Sequence, residues 1–392
     1  KSSAASDVYK RQMVYIANLF DKGVLGDVDP EEFRRKGWDP ANRPVRRAMH
    51  FFNENERVPL MRDALKRGDG ATYMRLMNES GRSSEELLNN IITSATGDTK
   101  LAQGLDRSRK LLEGKGVRLS SANSINIGRL APQVVYYYRA YADLVQAGRI
   151  QPGDKVDYVV PTGNFGDILA GYFAKEMGLP VGKLVCASNA NNVLTDFLRT
   201  GRYDRRRPFY KTVSPSMDIL VSSNLERLLY LLSGDDKLIA DLMKQLSENG
   251  EYEVPADMLE KLHELFWAGF CDDEGAKTAI GKVWKDDHYL CDTHTAVAWD
   301  VAQQYKQANP EHNAVVVLST ASPYKFPAAV LEGIGERAEG DEFDVMEQLH
   351  KVTGVPVPKN LADLRSRAVR HRDVIDRGEM LDYVLGKAAA EK

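Results

Sequence analysis

The sequence predicts an α/β protein: a parallel-leaning sheet with helices on both faces, preceded by an α-helical N-terminal segment. Three observations carry this expectation. The runs Lys155 to Val160, Lys183 to Ala187 and Ala314 to Leu318 are rich in β-branched and apolar residues and read as strands, the last as a buried one. Segments of helical period lie between them, which is the βαβ rhythm of a parallel sheet with right-handed connections. By contrast, Met13 to about Ile92 carries apolar residues only at three- and four-residue spacing.

Composition bounds the function classes. The 392 residues, 43% hydrophobic and 28% charged, can bury a sizeable core and accommodate two or three domains. A net charge of -3 gives no reason to expect nucleic acid or an anionic membrane as partner. Cys186, Cys271 and Cys291 are too few and too scattered for a disulfide framework or a zinc site, which points to a reducing cytoplasm. No apolar run approaches the length that spans a bilayer, and no secretory segment is visible.

In chain order, Lys1 to Gln12 lacks periodicity, directly precedes Met13 and looks like translated linker sequence. The helical segment 13–92 follows, with Val45 to Phe52, Val58 to Leu65 and Tyr73 to Met77 as its periodic pieces. Residues 93–117 form a junction, where Ser94 to Lys100 reads as a polar loop entering a helix from Lys100 to Leu112. The α/β domain is expected over 118–392. There Ser120 to Arg129 is a polar run entering a helix that continues through Val134, Tyr138, Tyr141 and Leu144. Asn123, Ser124, Asn126 and Arg129 either converge on an anion or cap the helix, since both uses favour these residue types.

The next stretch organises the rest. Tyr158 to Val160 end a strand, and Pro161 cannot donate to the ladder, so the strand should stop there. Gly163 and Gly166 give a short loop two positions able to take unusual dihedrals and to bring bare backbone close to a ligand. After Asp167 the period becomes helical, with Ile168, Leu169, Tyr172, Phe173 and Met177 on one side. Unpaired N–H groups at the positive end of a helix dipole make a phosphate cradle, although a plain βα turn has the same outline. The stretch matches neither the dinucleotide glycine pattern nor the Walker pattern, so the ligand would be a smaller phosphate ester. Asn189 to Asn192 lies at another strand's carboxyl end, where ligands of such sheets sit.

Further on, Arg202 to Arg207 reads as a solvated basic loop. Asn192 to Leu198, Leu220 to Leu232, Leu238 to Leu246 and Met258 to Phe270 read as helices, with His263 on the last a surface or packed residue. Asp292 or Thr293 caps a helix containing Ala296 to Trp299. His294 belongs to that capping turn or contacts a phosphate. Ala314 to Leu318 delivers Ser319 and Thr320 to a further carboxyl-end loop, and Glu342 to Gly386 reads as a helical tail interrupted at Val355 to Pro358.

Ser121 to Gln133, Pro161 to Asp167, Ala187 to Asp196, Ser214 to Asp218, Ser223 to Arg227, Cys291 to Ala296 and Ser319 to Phe326 follow one another as specific words. Together they resemble threonine synthase, over about Arg118 to Leu385. The resemblance implies the large domain of a fold-type II pyridoxal-phosphate enzyme, here incomplete, that converts O-phosphohomoserine and water to threonine and phosphate. It implies pyridoxal 5'-phosphate bound by Gly163, Asn164, Phe165, Gly166 and Asp167, with the Thr320 hydroxyl on the pyridine nitrogen. It also implies O-phosphohomoserine bound by Asn123, Ser124, Asn126 and Arg129. The Schiff-base lysine segment of that family is absent from the chain, and Lys100, the nearest lysine, stands in a different context. Activity of this chain is therefore expected to be impaired or lost, which leaves a non-catalytic phosphate-ester binder as the alternative. Exposed apolar surface beside an incomplete cleft would favour self-association. The words Asn53 to Val58, Gly68-Asp69 and Leu76 to Ser80 resemble a helical part of the galactokinase C-terminal domain. Without that family's phosphate loop or catalytic acid, they imply a helical appendage.

Overall fold

The computed structural model describes residues 14–38, 42–67, 69, 72, 75, 124–370 and 372–390. They fall into two compact units, one within the first 95 residues and one from residue 122 onward. Lys1 to Gln12, the junction with Lys100, and Asn123 lie outside the described residues, as does most of Tyr73 to Met77.

In the first unit, the Asp29 carboxylate accepts from the Glu31 amide at 2.9 Å and Pro30 fills the first turn, which starts the helix Pro30–Arg35. The helix Arg43–Lys66 takes in both apolar stretches expected there. Ile16, Leu25, Phe33, Val45 and Phe52 form the core of the unit, where the rings of Phe33 and Phe52 lie 4.9 Å apart.

The second unit is built on a four-stranded sheet in the order β5-β2-β1-β6, with every pairing parallel. The strands are β1 (Val156–Pro161), β2 (Val181–Ser188), β5 (Phe266–Phe270) and β6 (Ala314–Val317). Side chains alternate between two cores, as the pleat requires. Tyr158, Val160, Leu184 and Cys186 enter the first, with the helices Val134–Gln146, Gly166–Glu176 and Val193–Thr200. Val159, Val185 and Ala187 enter the second, with the helices Asp273–Asp287 and Thr293–Ala308. Helices therefore cover both faces. Asp157 is fully buried, and its carboxylate accepts from the Lys183 amide at 2.7 Å, the Asn313 side chain at 2.9 Å and the Tyr305 hydroxyl at 2.9 Å. These bonds satisfy a charge that burial would otherwise make costly.

Several expectations are corrected. Met258 to Phe270 is not one helix: the helix ends at Leu265, and Phe266–Phe270 pairs with β2 from Leu184↔Phe266 onward. As a strand the segment puts Phe266 and Ala268 into the first core and packs Trp267 against the second. β1 does end at Pro161, as expected, with its last register pair Pro161↔Ala187, and beyond it the Thr162 amide still donates to the Ala187 carbonyl at 2.8 Å. The basic run is part of an antiparallel ribbon of β3 (Arg202–Asp204) and β4 (Glu251–Glu253), in which Arg206 pairs with Asp204 at 2.9 Å and with Glu251 at 2.6 Å. Helix Leu225–Ser233 starts later than expected because residues 222–224 bond the Gly163 turn instead. The tail keeps helices Glu342–Thr353 and Met380–Ala390, but 367–370 and 372–376 are not helical. No helix among the described residues is long and apolar enough to cross a membrane.

Candidate ligand site

The strand order reverses at β1. The chain runs from β1 to β2 and β5 on one side, then returns to place β6 on the other. A crevice opens at the carboxyl ends of strands at such a point. A pocket of about 430 Å³ lies there, lined by Ser124, Arg129, Gln133, residues 161–168, Ser216, Met217, His294, Thr320, Ala321 and Lys325.

The turn between β1 and the helix Gly166–Glu176 is shaped by its carbonyls. The Gly163 carbonyl accepts from the Ser222 hydroxyl at 3.0 Å, and the Asn164 carbonyl accepts from the Asn224 side chain at 2.8 Å. In a trans peptide the N–H points opposite to the C=O. The amides of Asn164 and Phe165 therefore face away from residues 222–224. With the Gly166 and Asp167 amides at the helix start, they find no acceptor among the described residues. Such a row of donors at a helix N-terminus suits an anion.

The unusual dihedral falls on Phe165, not on the glycines: Phe165 has φ 59 and ψ 16, and neither Gly163 nor Gly166 has positive φ. The strained residue is held because its ring is 1% exposed and packs 5.7 Å from the Phe266 ring. Gly163 serves close approach instead. A Cβ there would lie 3.0 Å from the Ser216 carbonyl oxygen and 3.0 Å from the Met217 Cα. At Gly166 a Cβ would meet nothing nearer than the Asn224 side chain at 3.7 Å.

A buried relay holds Ser216 in place. The Ser216 amide donates to His294 Nε2 at 3.1 Å, so that nitrogen carries the lone pair. The proton then sits on Nδ1, which donates to Asp292 Oδ1 at 3.0 Å. Burial alone would raise the Asp292 carboxyl, but hydrogen bonds from His294 and Thr295 bring it below its ordinary value. Asp292 also caps the helix Thr293–Ala308, accepting from the His294 amide at 2.8 Å. His294 is thus both a capping-turn residue and part of the pocket wall.

Asp167 is pushed up to about 7 by burial, against the opposing hydrogen bond from the Tyr137 hydroxyl. Arg129 and Lys325 bring positive charge to the same pocket. Ser124 is tied to the turn through Asn224, whose side chain donates to both the Ser124 and Asn164 carbonyls, at 3.2 Å and 2.8 Å.

Gly163, Asn164, Phe165, Gly166, Asp167, Ser124, Arg129 and Thr320 thus line one pocket. Asn126 does not: its side-chain oxygen accepts from the Gly128 amide at 2.8 Å and caps the helix Ile127–Leu130. Asn189 also points elsewhere, donating to Thr212 at 2.8 Å and Asp218 at 2.8 Å. Gln133, Ser216 and Lys325 were not read as site residues, although all three lie inside the specific words noted above.

The residues present suit pyridoxal phosphate in part. The free amides and the space beside Gly166 match its phosphate, and Thr320 brings a hydroxyl from the carboxyl end of β6. Lys325 is the one lysine among the described lining residues, and it is exposed.

A family model described as threonine synthase, C-terminal, matches residues 295–382. Threonine synthase-like 1 of Homo sapiens is 46% identical over 221 residues, which is 56% of this chain and 29% of its own length. Threonine synthase of Saccharomyces cerevisiae is 38% identical over 252 residues, 60% of this chain and 48% of its own. Among solved structures, PLP-bound threonine synthase from Brucella melitensis aligns with TM-score 0.62 at 34% identity, covering 74% of this chain and 56% of that one. Yeast threonine synthase aligns with TM-score 0.60 at 29% identity, covering 74% and 58%. The chain spans about half the length of the threonine synthases it matches, and less than a third of the human relative.

The parallel sheet, its switch-point pocket and these neighbours define the fold class: the α/β unit has the fold of the type II pyridoxal-phosphate enzymes. Within that class it is related to the threonine synthases.

Proposed function

We propose that the α/β unit binds pyridoxal 5'-phosphate, with the amides of Gly163 to Asp167 on its phosphate and the Thr320 hydroxyl on its ring nitrogen. The reaction class is that of a carbon–oxygen lyase acting on phosphate, converting O-phosphohomoserine and water to threonine and phosphate. The observation that carries this reading is the row of amides without acceptors at the helix start, inside a pocket shared with Arg129. Ser124 and Arg129, with Asn123, are assigned to the substrate phosphate, while Asn126 acts through the cap it gives their helix. The bound cofactor supplies an electron sink for carbon acids next to an amine. The protein's share is to hold two anions and orient the substrate.

A second reading, a phosphate-ester binder without turnover, is favoured by the lysine content of the pocket. Lys325 alone represents that residue type among the described lining residues, and it is exposed. The chain is accordingly expected to bind the cofactor reversibly and to turn over weakly at best. Three separate buried thiols suit a reducing cytoplasm. Apolar surface beside an incomplete cleft would favour self-association. The helical segment 13–92 is assigned the part of an appendage, and 118–392 that of the binding domain.

Titration with pyridoxal phosphate, borohydride reduction and mapping of modified lysines test this directly. Saturable binding displaced by inorganic phosphate is expected. A mapped lysine together with phosphate release from O-phosphohomoserine selects the enzyme, and binding without either selects the binder. No saturable binding refutes both.

A further inference from the structure

One charged side chain of the pocket, Lys325, makes no ion pair or hydrogen bond among the described residues. Lys325 sits on the turn Pro323–Lys325, just beyond β6. The backbone on either side of it is anchored. Tyr324 is 3% exposed, its hydroxyl donates to the Val355 carbonyl, and the Ser322 hydroxyl caps the turn by accepting from the Tyr324 amide at 3.3 Å. The Lys325 amide donates to the Ser322 carbonyl at 3.0 Å, and the next residue, Phe326, packs its ring 4.9 Å from that of His294. The lysine side chain itself is exposed and makes no ion pair or hydrogen bond with the described residues. Its ammonium only approaches the Phe326 ring, at 5.6 Å from the centroid. An unpaired ammonium held by a fixed turn at the wall of an anion pocket is a ready counter-charge.

The other donors of the pocket stand on different elements. The turn amides come from 163–167, Arg129 comes from the helix Ile127–Leu130, and His294 is saturated by Asp292 and Ser216. Lys325 therefore adds a positive point on a separate element, the loop after β6.

We propose that Lys325 is a specificity-determining residue. It pairs with a second acidic group, a carboxylate, on a ligand whose phosphate or phosphonate occupies the anion pocket. The pocket then prefers small molecules carrying both groups over inorganic phosphate. This inference rests on reading Arg129 and Ser124 as the substrate-anion site, beside the 163–167 amides assigned to the cofactor phosphate.

The test compares inorganic phosphate with 3-phosphonopropionate, by calorimetric titration of the full chain, for wild type, Lys325→Met and Lys325→Arg. An exposed ion pair of ordinary strength corresponds to a change of about three- to five-fold in affinity. Lys325→Met should weaken 3-phosphonopropionate by that factor and leave inorganic phosphate within about two-fold, and high salt should erase the difference. Lys325→Arg should restore the preference, which also covers the case in which the methionine variant misfolds. Equal losses for both probes, or no loss for either, overturn the proposal while leaving the anion site standing. If wild type binds neither probe, the anion site and the proposal fall together.

Discussion

Gly163→Ala and Gly166→Ala add the same methyl group at two positions of one turn, and the geometry predicts opposite outcomes. At residue 163 the new Cβ would lie 3.0 Å from the Met217 Cα and from the Ser216 carbonyl oxygen, backbone atoms that cannot rotate aside. Ser216 is further fixed by its bond to His294 at 3.1 Å. Overpacking of this kind costs about 1–3 kcal/mol. At residue 166 the nearest atom would be 3.7 Å away and φ is negative, so the folded chain accepts alanine without strain. Narrowing the unfolded ensemble then stabilises by about 0.4–1 kcal/mol. The same methyl would stand beside Gln133 and Ser124, at 3.9 Å and 4.0 Å, on the pocket wall beside the free amides. Crowding an anion there by about 1–3 kcal/mol weakens binding roughly five- to 150-fold. Urea unfolding and pyridoxal-phosphate titration of both variants measure the two effects separately. Gly166→Ala should be at least as stable as wild type yet bind poorly. If it binds as tightly as wild type, the anion does not sit on these amides, and the functional reading loses its main support.

Three further outcomes follow from the same contacts. Gly171→Ala should destabilise by about 1–3 kcal/mol despite alanine's helix propensity, because its Cβ would sit 2.7 Å from the Tyr137 ring and 2.8 Å from Leu184. The urea midpoint checks it. Asp167, raised to about 7 in the folded state, holds a proton that the unfolded chain releases near pH 4. Stability should therefore fall as pH rises from about 4 to about 7 and stay low above that, and Asp167→Asn should flatten that slope in thermal melts across the range. His294→Ala strands the Ser216 amide and removes a donor from the buried Asp292. It should cost about 1–3 kcal/mol and also weaken phosphate binding, read by urea unfolding and titration.

Much of the site was legible because its chemistry is concentrated in short words. Pro161 to Asp167 announces a strand end, a tight turn and a helix start by residue type alone, and the structure brings Ser124, Arg129 and Thr320 to the same pocket. Asn126 was open to two uses, and the cap took it, because an amide two residues on is always within reach of such a side chain. Lys325 was passed over because an exposed lysine in a loop carries no pattern.

The sequence by itself determined the parallel α/β class, the positions of β1, β2 and β6, and the short glycine-containing turn between β1 and the next helix. These depend on period and residue type over a few neighbours. Only the tertiary structure decided that Phe266–Phe270 is a strand, since the edge that recruits it is Leu184 to Ser188, far away in the chain. It also decided that Phe165 rather than a glycine takes the left-handed conformation, because the packing of its ring against Phe266 offsets the strain. Local pattern fixes which conformations are cheap, and long-range packing selects among them.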